Sequence, residues 1–268
     1  MGSGIAQVAA TAGFYTILYE PDEKVLEKAI TVIEKNLQAL VDKKKVTVEE
    51  KQKISQKIQF TNDIHSCLGD IIIEAIIEKI EIKIALFNQL AEINHSDTIF
   101  ASNTSSLSVT KIAEQVKNPE RVIGMHFFNP ATLMKLVEIV NTKYTNTNTG
   151  SITLEIARML GKTPVICKDS PGFIVNRVAR PYYIESLRLA ESGVADFVTI
   201  DSIMEASGFK MGPFKLMDLI GNDVNYAVSY SVYDQLNSPE RLKPSIIQKQ
   251  MVEKGALGRK TGKGYFEY

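Results

Sequence analysis

The chain has 268 residues, of which 44% are hydrophobic and 23% are charged, values that are ordinary for a globular protein. Basic and acidic residues number 31 each, so no net field attracts a nucleic acid or an anionic membrane surface. Cys67 and Cys167 lie far apart and outside any metal-binding spacing, which predicts free thiols and no metal site. Without a signal peptide or a membrane-spanning apolar run, the sequence predicts a cytoplasmic protein with room for two domains.

The first twenty residues combine a glycine-led helix, a strand and an acidic residue. Residues 1–10 predict a helix that ends at Gly13, and residues 15–19 predict a strand that ends at Glu20. This order matches the second half of a dinucleotide-binding unit, in which Gly2 lets the helix approach a pyrophosphate. Glu20 would accept hydrogen bonds from a ribose diol, which favours NAD over NADP. The alternative is that Glu20 is an ordinary carboxylate at a turn.

Helices and strands alternate through the following part of the chain. Thr47 and Glu50 form a capping-box pattern that predicts the start of a helix. The alternation predicts an α/β fold, a Rossmann-like doubly wound sheet domain over residues 1–168. Its remaining predicted elements are helices at 22–45, 79–94, 108–116 and 151–160 and strands at 58–60, 71–75, 98–101 and 163–167.

Two polar clusters in this region allow both a functional and a structural interpretation. Lys43 begins a run of three lysines that ends a predicted helix, where lysines either complement the helix dipole or contact a phosphate. Residues 102–106 read Ser-Asn-Thr-Ser-Ser after a predicted strand, at the edge where open α/β sheets bind ligands. The competing interpretation of this second cluster is N-capping of the next helix.

The stretch 121–140 contains one of the three histidines. His126 ends an apolar strand, a turn at Asn129 and Pro130 follows, and a second apolar run carries a single carboxylate, Glu138. Two strands joined by a short loop can bring this imidazole and carboxylate together. A buried carboxylate is costly unless it is paired, and a His–carboxylate pair can work as a general base. The alternative is a core histidine with a local hydrogen bond and a glutamate that faces water.

The pattern changes near residue 169. An Asp-Ser-Pro-Gly sequence at 169–172 predicts the start of a long amphipathic helix, and little after it reads as strand until 264–266. Residues 169–268 therefore predict an all-helical C-terminal domain, whose apolar stripe is wide enough to pack on the first domain and on another subunit. Asn176 lies in the first turns of the helix, where it bonds either a substrate oxygen or a group of the other domain.

Taken together, these segments resemble the L-3-hydroxyacyl-CoA dehydrogenase family, especially its bacterial 3-hydroxybutyryl-CoA dehydrogenases. The resemblance runs essentially from end to end, with the motifs in the family's order and spacing. The motifs are M-G-S-G-I-A-Q-V at 1–8, A-S-N-T-S-S-L-S at 101–108, G-M-H-F-F-N-P at 124–130, M-K-L-V-E at 134–138, D-S-P-G-F-I-V-N-R at 169–177, M-G-P-F-K-L-M-D at 211–218 and G-R-K-T-G-K-G-Y at 258–265.

The resemblance implies an NAD-dependent enzyme that interconverts L-3-hydroxyacyl-CoA and 3-oxoacyl-CoA, such as 3-hydroxybutyryl-CoA and acetoacetyl-CoA. It implies His126 as the general acid/base and Glu138 as its orienting carboxylate. Ser105 and Asn176 resemble donors to the substrate oxygen, and Lys43 resembles a lysine that contacts the CoA nucleotide. The family's members are usually homodimers, which here implies pairing through the C-terminal helices. Positions that resemble the family's cofactor contacts are Gly2, Glu20, Glu78, Lys83, Asn103, Ser105, Asn129 and Lys260.

The sequence also departs from the family pattern. An amino-terminal strand and the leading glycines of the phosphate loop are absent, which we expect to leave two strands with unpaired edges. A misplaced start codon or a shortened sequence accounts for this better than a working protein without the strand. Thr132, Lys215 and Asn222 are smaller departures. Three alternatives stay open: a dehydrogenase of a small free hydroxy acid, a non-catalytic relative such as a lens crystallin, and a truncated pseudoenzyme that no longer binds NAD.

Overall fold

The computed structural model describes residues 1–268, which divide into two units, Met1–Asp169 and Ser170–Tyr268. The sequence places this boundary after Lys168. Each unit has its own hydrophobic clusters. None of the helices combines the length and the apolar character needed to cross a membrane.

The first unit is a Rossmann-like α/β domain whose strands form two separate sheets. The smaller sheet is a parallel pair, and the larger has the order β3-β4-β5-β6-β7 with only β5 and β6 antiparallel. The strands β1 and β3 each have a hydrogen-bonded neighbour on one side only, so the expected unpaired edges are present. The strands are β1 (Thr16–Tyr19), β2 (Ile58–Thr61), β3 (Ile71–Glu74), β4 (Ile99–Ser102), β5 (Val122–Phe127), β6 (Leu136–Asn141) and β7 (Thr163–Lys168).

The first helix, α1 (Gly2–Thr11), contributes to the hydrophobic clusters of both sheets. Ile5 and Val8 pack with the larger sheet, whereas Ala6 and Ala10 pack in the cluster around the smaller one. Gly13, with φ +100°, follows this helix as predicted. The other helices of the unit are α2 (Glu23–Asp42), α3 (Val48–Ser55), α4 (Ile80–Ile93), α5 (Val109–Ala113) and α6 (Thr147–Met159).

The helix starts of this unit depend on side-chain caps that the sequence predicts. The Thr47 hydroxyl accepts a hydrogen bond from the Glu50 N–H, and the Glu50 carboxylate accepts one from the Thr47 N–H, which confirms the capping box. Ser108 caps α5 through a single hydrogen bond, which its hydroxyl accepts from the Lys111 N–H. Each such cap is worth about 1 kcal/mol, because it satisfies a helical N–H that has no partner inside the helix.

The second unit consists of helices joined by short turns. The helix predicted to start at residue 169 begins only at Val175, because Gly172 and Phe173 have φ values of +74° and +48° and form a turn. The strand predicted at 264–266 is wrong, since that region contains only isolated bridges of Lys263 to Gly258 and Glu267. The helices are α7 (Val175–Glu191), α8 (Phe197–Ala206), α9 (Pro213–Ile220), α10 (Asn222–Gln235) and α11 (Ile246–Glu253).

Candidate active site

The centre of the candidate site is a buried histidine–glutamate pair on two antiparallel strands. His126 on β5 lies directly opposite Glu138 on β6, so the two side chains share one face of the sheet. Their Nδ1 and Oε2 atoms are 2.7 Å apart, and the Glu138 side chain is fully buried. The Phe128 ring lies against the imidazole with a centroid distance of 4.6 Å. The predicted meeting of the two side chains is therefore present in the structure.

The geometry of this pair assigns different tasks to the two imidazole nitrogens. Because Nδ1 faces the carboxylate, it carries the shared proton, and Nε2 is the nitrogen that would exchange a proton with a substrate. The Glu138 carboxylate stabilises the imidazolium form and holds the ring in one orientation. Burial keeps water from weakening this interaction. The arrangement is that of a general acid/base.

Close packing beside the histidine depends on Gly124, two residues before it on β5. A methyl group at this position would lie 2.7 Å from Cβ of Val140 and 3.1 Å from Cγ2 of Val109. Real Cβ atoms do not approach neighbours this closely, so only glycine lets β6 and α5 reach β5 here. The position of His126 relative to Glu138 therefore depends partly on the lack of a side chain at Gly124.

Asn103 connects the carboxyl ends of three neighbouring strands next to His126. Its backbone N–H donates to the carbonyl of Glu74 at 2.8 Å, and its Oδ1 accepts the N–H of Phe127 at 2.8 Å. The polar residues that follow β3 and β4 are thus held at the same sheet edge as the end of β5. In open α/β sheets this edge is where ligands bind.

Glu78 ties together the two loops that follow β3 and β4. Its Oε1 accepts hydrogen bonds from the Thr104 hydroxyl and from the N–H of Ser105, at 3.1 Å for the latter. Its Oε2 lies 3.1 Å from Nζ of Lys83. Burial raises the pKa of the Glu78 carboxyl, but the Thr104 hydrogen bond and the Lys83 charge outweigh it, so the pKa is below its ordinary value. Ser105 therefore sits on a loop held by an ionised carboxylate.

The N-terminus of α1 reaches the same sheet edge. A Cβ placed on Gly2 would be 4.0 Å from Cβ of Ala75, just after β3, and one on Gly4 would be 3.4 Å from Cβ of Ala131. A helix N-terminus without a bulky side chain lets backbone N–H groups approach an anion, so these residues fit the pyrophosphate of a dinucleotide. Glu20 follows β1 beside the smaller sheet, with its Oε1 3.3 Å from the N–H of Asp22.

The loop between the two site strands is held by a lysine. Nζ of Lys162 donates to the carbonyls of Ala131 and Met134, at 2.5 and 2.9 Å, and burial lowers the pKa of its ammonium group. The loop begins with a cis peptide bond between Asn129 and Pro130. Asn129 itself is exposed, as is Lys43 in the turn after α2.

Two predicted site residues, Asn176 and Lys260, belong to the second unit. The carbonyl of Asn176 accepts a 3.0 Å hydrogen bond from Nε of Arg180, which is buried and has a pKa lowered by that burial to about 10. Lys260 pairs with Asp223 through contacts of 2.6 and 2.7 Å. The other predicted site residues lie in the first unit, where the structure brings His126, Glu138, Asn103 and the Glu78 group to one edge.

Sequence reasoning missed Glu74, the last residue of β3, which is buried and bonded to Lys83. A signal was available, because this carboxylate ends a run of three isoleucines and a buried carboxylate needs a partner. The same argument identified Glu138. Lys83 is itself only 1% exposed, and its ammonium group pairs with Glu74 and Glu78. Any effect of Lys83 on the cofactor would therefore pass through these two carboxylates.

Comparison with known proteins identifies the family. Residues 1–170 match the model for the NAD binding domain of 3-hydroxyacyl-CoA dehydrogenase, and residues 172–268 match the model for its C-terminal domain. The chain belongs to the 3-hydroxyacyl-CoA dehydrogenase family, and its first unit is that family's NAD-binding domain.

Individual relatives agree with this assignment. The 3-hydroxyadipyl-CoA dehydrogenase of Escherichia coli K12 is 44% identical over 270 residues, a match that covers 100% of this chain and 57% of the relative. A probable 3-hydroxybutyryl-CoA dehydrogenase of Deinococcus radiodurans is 40% identical, with 100% and 96% covered. The crystal structure of (S)-3-hydroxybutyryl-CoA dehydrogenase from Ralstonia eutropha has a TM-score of 0.95 at 34% identity, with 100% and 95% covered. The chain thus spans little more than half of the E. coli relative and nearly all of the other two.

Proposed function

We propose that this chain interconverts L-3-hydroxyacyl-CoA and 3-oxoacyl-CoA with NAD as hydride carrier, acting on short acyl chains. The observation that carries the proposal is the buried pair of His126 and Glu138 at the ligand-binding edge of an NAD-binding domain. The relatives' names, which include 3-hydroxybutyryl-CoA and 3-hydroxyadipyl-CoA dehydrogenases, support an acyl-CoA substrate. The physiological setting that fits is fatty-acid or butyrate metabolism in the cytoplasm.

Oxidation of the secondary alcohol requires that its hydroxyl proton leaves together with the hydride on C3. NAD, when bound, supplies the hydride acceptor. His126 takes the hydroxyl proton at Nε2, and the imidazolium that results is stabilised by Glu138 at 2.7 Å. In the reverse direction the same imidazolium returns the proton to the C3 oxygen. Ser105 and Asn176 donate hydrogen bonds to that oxygen while it carries negative charge.

We propose the following residues as those that hold the cofactor and the CoA group. The backbone at Gly2 approaches the pyrophosphate, and the Glu20 carboxylate binds the ribose hydroxyls and repels a 2′-phosphate, which favours NAD over NADP. Lys43, exposed after α2, contacts a phosphate of the CoA nucleotide. The proposed set of cofactor residues is completed by Glu78, Lys83, Asn103, Ser105, Asn129 and Lys260.

We also expect the protein to act as a homodimer through its second unit. Two apolar side chains at the start of α7 are exposed there, Ile174 at 41% and Val178 at 72%. Ile184 and Leu187 of the same helix are buried inside the unit. Exposed apolar groups of this kind support burial against a second copy.

The proposal is tested by following NADH absorbance with acetoacetyl-CoA and, separately, with free acetoacetate. We expect rapid oxidation of NADH with the thioester only, and a loss of about 10²- to 10⁴-fold in His126→Ala. The exposed histidine in His65→Ala is the matched control and should keep wild-type rates.

Equal rates with both substrates would instead establish a dehydrogenase of free oxo acids. Wild-type turnover in His126→Ala would overturn the assigned role of the histidine. Absence of turnover together with absence of NADH binding in an equilibrium titration would establish a structural relative or a pseudoenzyme.

A further inference from the structure

The end of β3 carries a carboxylate that has no place in the proposed chemistry. Glu74 follows three isoleucines, and its side chain is completely buried. Its Oε1 accepts hydrogen bonds from Nζ of Lys83 at 2.6 Å and from the N–H of Ile76 at 2.8 Å. Its Oε2 accepts one from the hydroxyl of Ser102 at 2.7 Å. A carboxylate with three donors and no exposure is held firmly and cannot touch a ligand.

Lys83 joins this carboxylate to a second one. Its ammonium group lies 2.6 Å from Glu74 and 3.1 Å from Glu78, and its side chain is 1% exposed. One positive charge between two carboxylates leaves the group with a net negative charge. Of the two carboxylates, only Glu78 is partly exposed, with 37% of its side chain accessible. The negative charge that a ligand meets is therefore carried by Glu78.

Glu78 in turn holds the loop that follows β4. In addition to the Thr104 hydroxyl and the Ser105 N–H, its Oε1 is 3.2 Å from the N–H of Ser106 and 3.0 Å from the Ser106 hydroxyl. A continuous set of hydrogen bonds thus runs from the buried Glu74 through Lys83 and Glu78 to the loop that contains Ser105. Both loops lie after neighbouring parallel strands, at the edge where ligands bind.

We propose that Glu74 is a positioning residue of the cofactor site. It fixes the ammonium group of Lys83, which fixes the Glu78 carboxylate, which holds residues 104–106 in their ligand-binding conformation. This inference rests on the proposed function only in taking NAD as the ligand of this edge. Groups that orient a binding residue from behind typically have a large effect on ligand affinity without contacting the ligand.

Glu74→Gln tests the inference, because the amide keeps the size of the side chain but removes its charge and replaces one acceptor oxygen by a donor. We expect NADH to bind about tenfold more weakly, since loss of one charge-assisted hydrogen bond loosens the Lys83–Glu78 contact. KM for NADH should rise by the same factor, and KM for acetoacetyl-CoA should rise less, because Ser105 is the one residue of 104–106 that is proposed to contact the substrate. Ile33→Val, in the buried face of α2, is the control for lost stability and should leave both KM values unchanged.

A second readout needs no cofactor and no turnover. The N–H groups of Ser105 and Ser106 donate to Glu78, so Glu74→Gln should increase their hydrogen-exchange rates in the cofactor-free protein. Wild-type NADH affinity together with unchanged exchange at these two amides would overturn the inference. A wild-type chain that binds NADH but does not reduce acetoacetyl-CoA would refute the proposed function and leave both readouts of the Glu74 inference intact.

Discussion

Replacing Glu138 by glutamine is the most direct perturbation of the proposed general acid/base. In Glu138→Gln the amide donates a proton toward Nδ1 of His126, which moves the imidazole proton to Nε2 and removes the acceptor that oxidation requires. Breaking a buried charge pair costs about 3–5 kcal/mol, and His126 and Glu138 are 2.7 Å apart with the carboxylate fully buried. That cost falls on the free energy of unfolding. Turnover should fall by about 10²- to 10⁴-fold, the range that general acid–base catalysis contributes, because the imidazole is held in the wrong tautomer.

The assay is initial-rate kinetics in both directions. Reduction of acetoacetyl-CoA needs a proton donor at Nε2 of His126 and oxidation of 3-hydroxybutyryl-CoA needs a proton acceptor there, so both rates should fall in Glu138→Gln.

Glu155→Gln, which changes an exposed carboxylate on α6, is the matched control and should show wild-type rates in both directions. A folded Glu138→Gln variant with near wild-type turnover in both directions would refute the proposed role of the pair.

Two further predictions concern packing and thiol chemistry in the first unit. Gly124→Ala should lower the free energy of unfolding in urea by about 1–3 kcal/mol, because its methyl group would lie 2.7 Å from Cβ of Val140. Gly69→Ala is the control and should cost little, because the nearest atom to its methyl group would be at an ordinary 3.6 Å. Equal losses in the two variants would contradict the packing argument. Burial, together with the negative charges of Glu138 and Asp169, raises the pKa of Cys167 to about 11. Alkylation of this thiol by iodoacetamide at pH 8 should therefore be slow, and rapid alkylation of the folded protein would refute this. The contribution of the protonated thiol to folding stability should be lost as pH rises from about 9 toward 11.

Features set by neighbouring residues could be predicted from the sequence. The capping box of Thr47 and Glu50 and the helix end at Gly13 depend on contacts within a few positions, and both are present. The predicted start of α7 is wrong, although it too depends on the conformation of neighbouring residues. Phe173 adopts a positive φ that its residue type does not favour, and no local rule indicates that the turn after Gly172 continues through it.

Pairings between distant residues were predictable only where chain topology limited the choices. Glu138 lies in an apolar run beside a strand that ends in a histidine, so one partner was available within a short hairpin. Glu74 gives the same signal at the end of its isoleucine run. Its partner Lys83, however, lies across a loop and on a helix, among other charged residues that the sequence pattern cannot separate from it.

Burial then divides the residues that resemble cofactor contacts into two groups. Lys83 is 1% exposed and its ammonium group pairs with two carboxylates, so we expect it to act on a ligand through the groups that it holds. Asn103 is half-buried; its Oδ1 accepts a hydrogen bond from the Phe127 N–H, and its own N–H donates to the Glu74 carbonyl. The carboxylate of Glu78, in contrast, is accessible, with 37% of its side chain exposed. Residue type and spacing alone cannot distinguish a residue that touches a ligand from one that holds its neighbour in place, because both are polar and both follow the same strands.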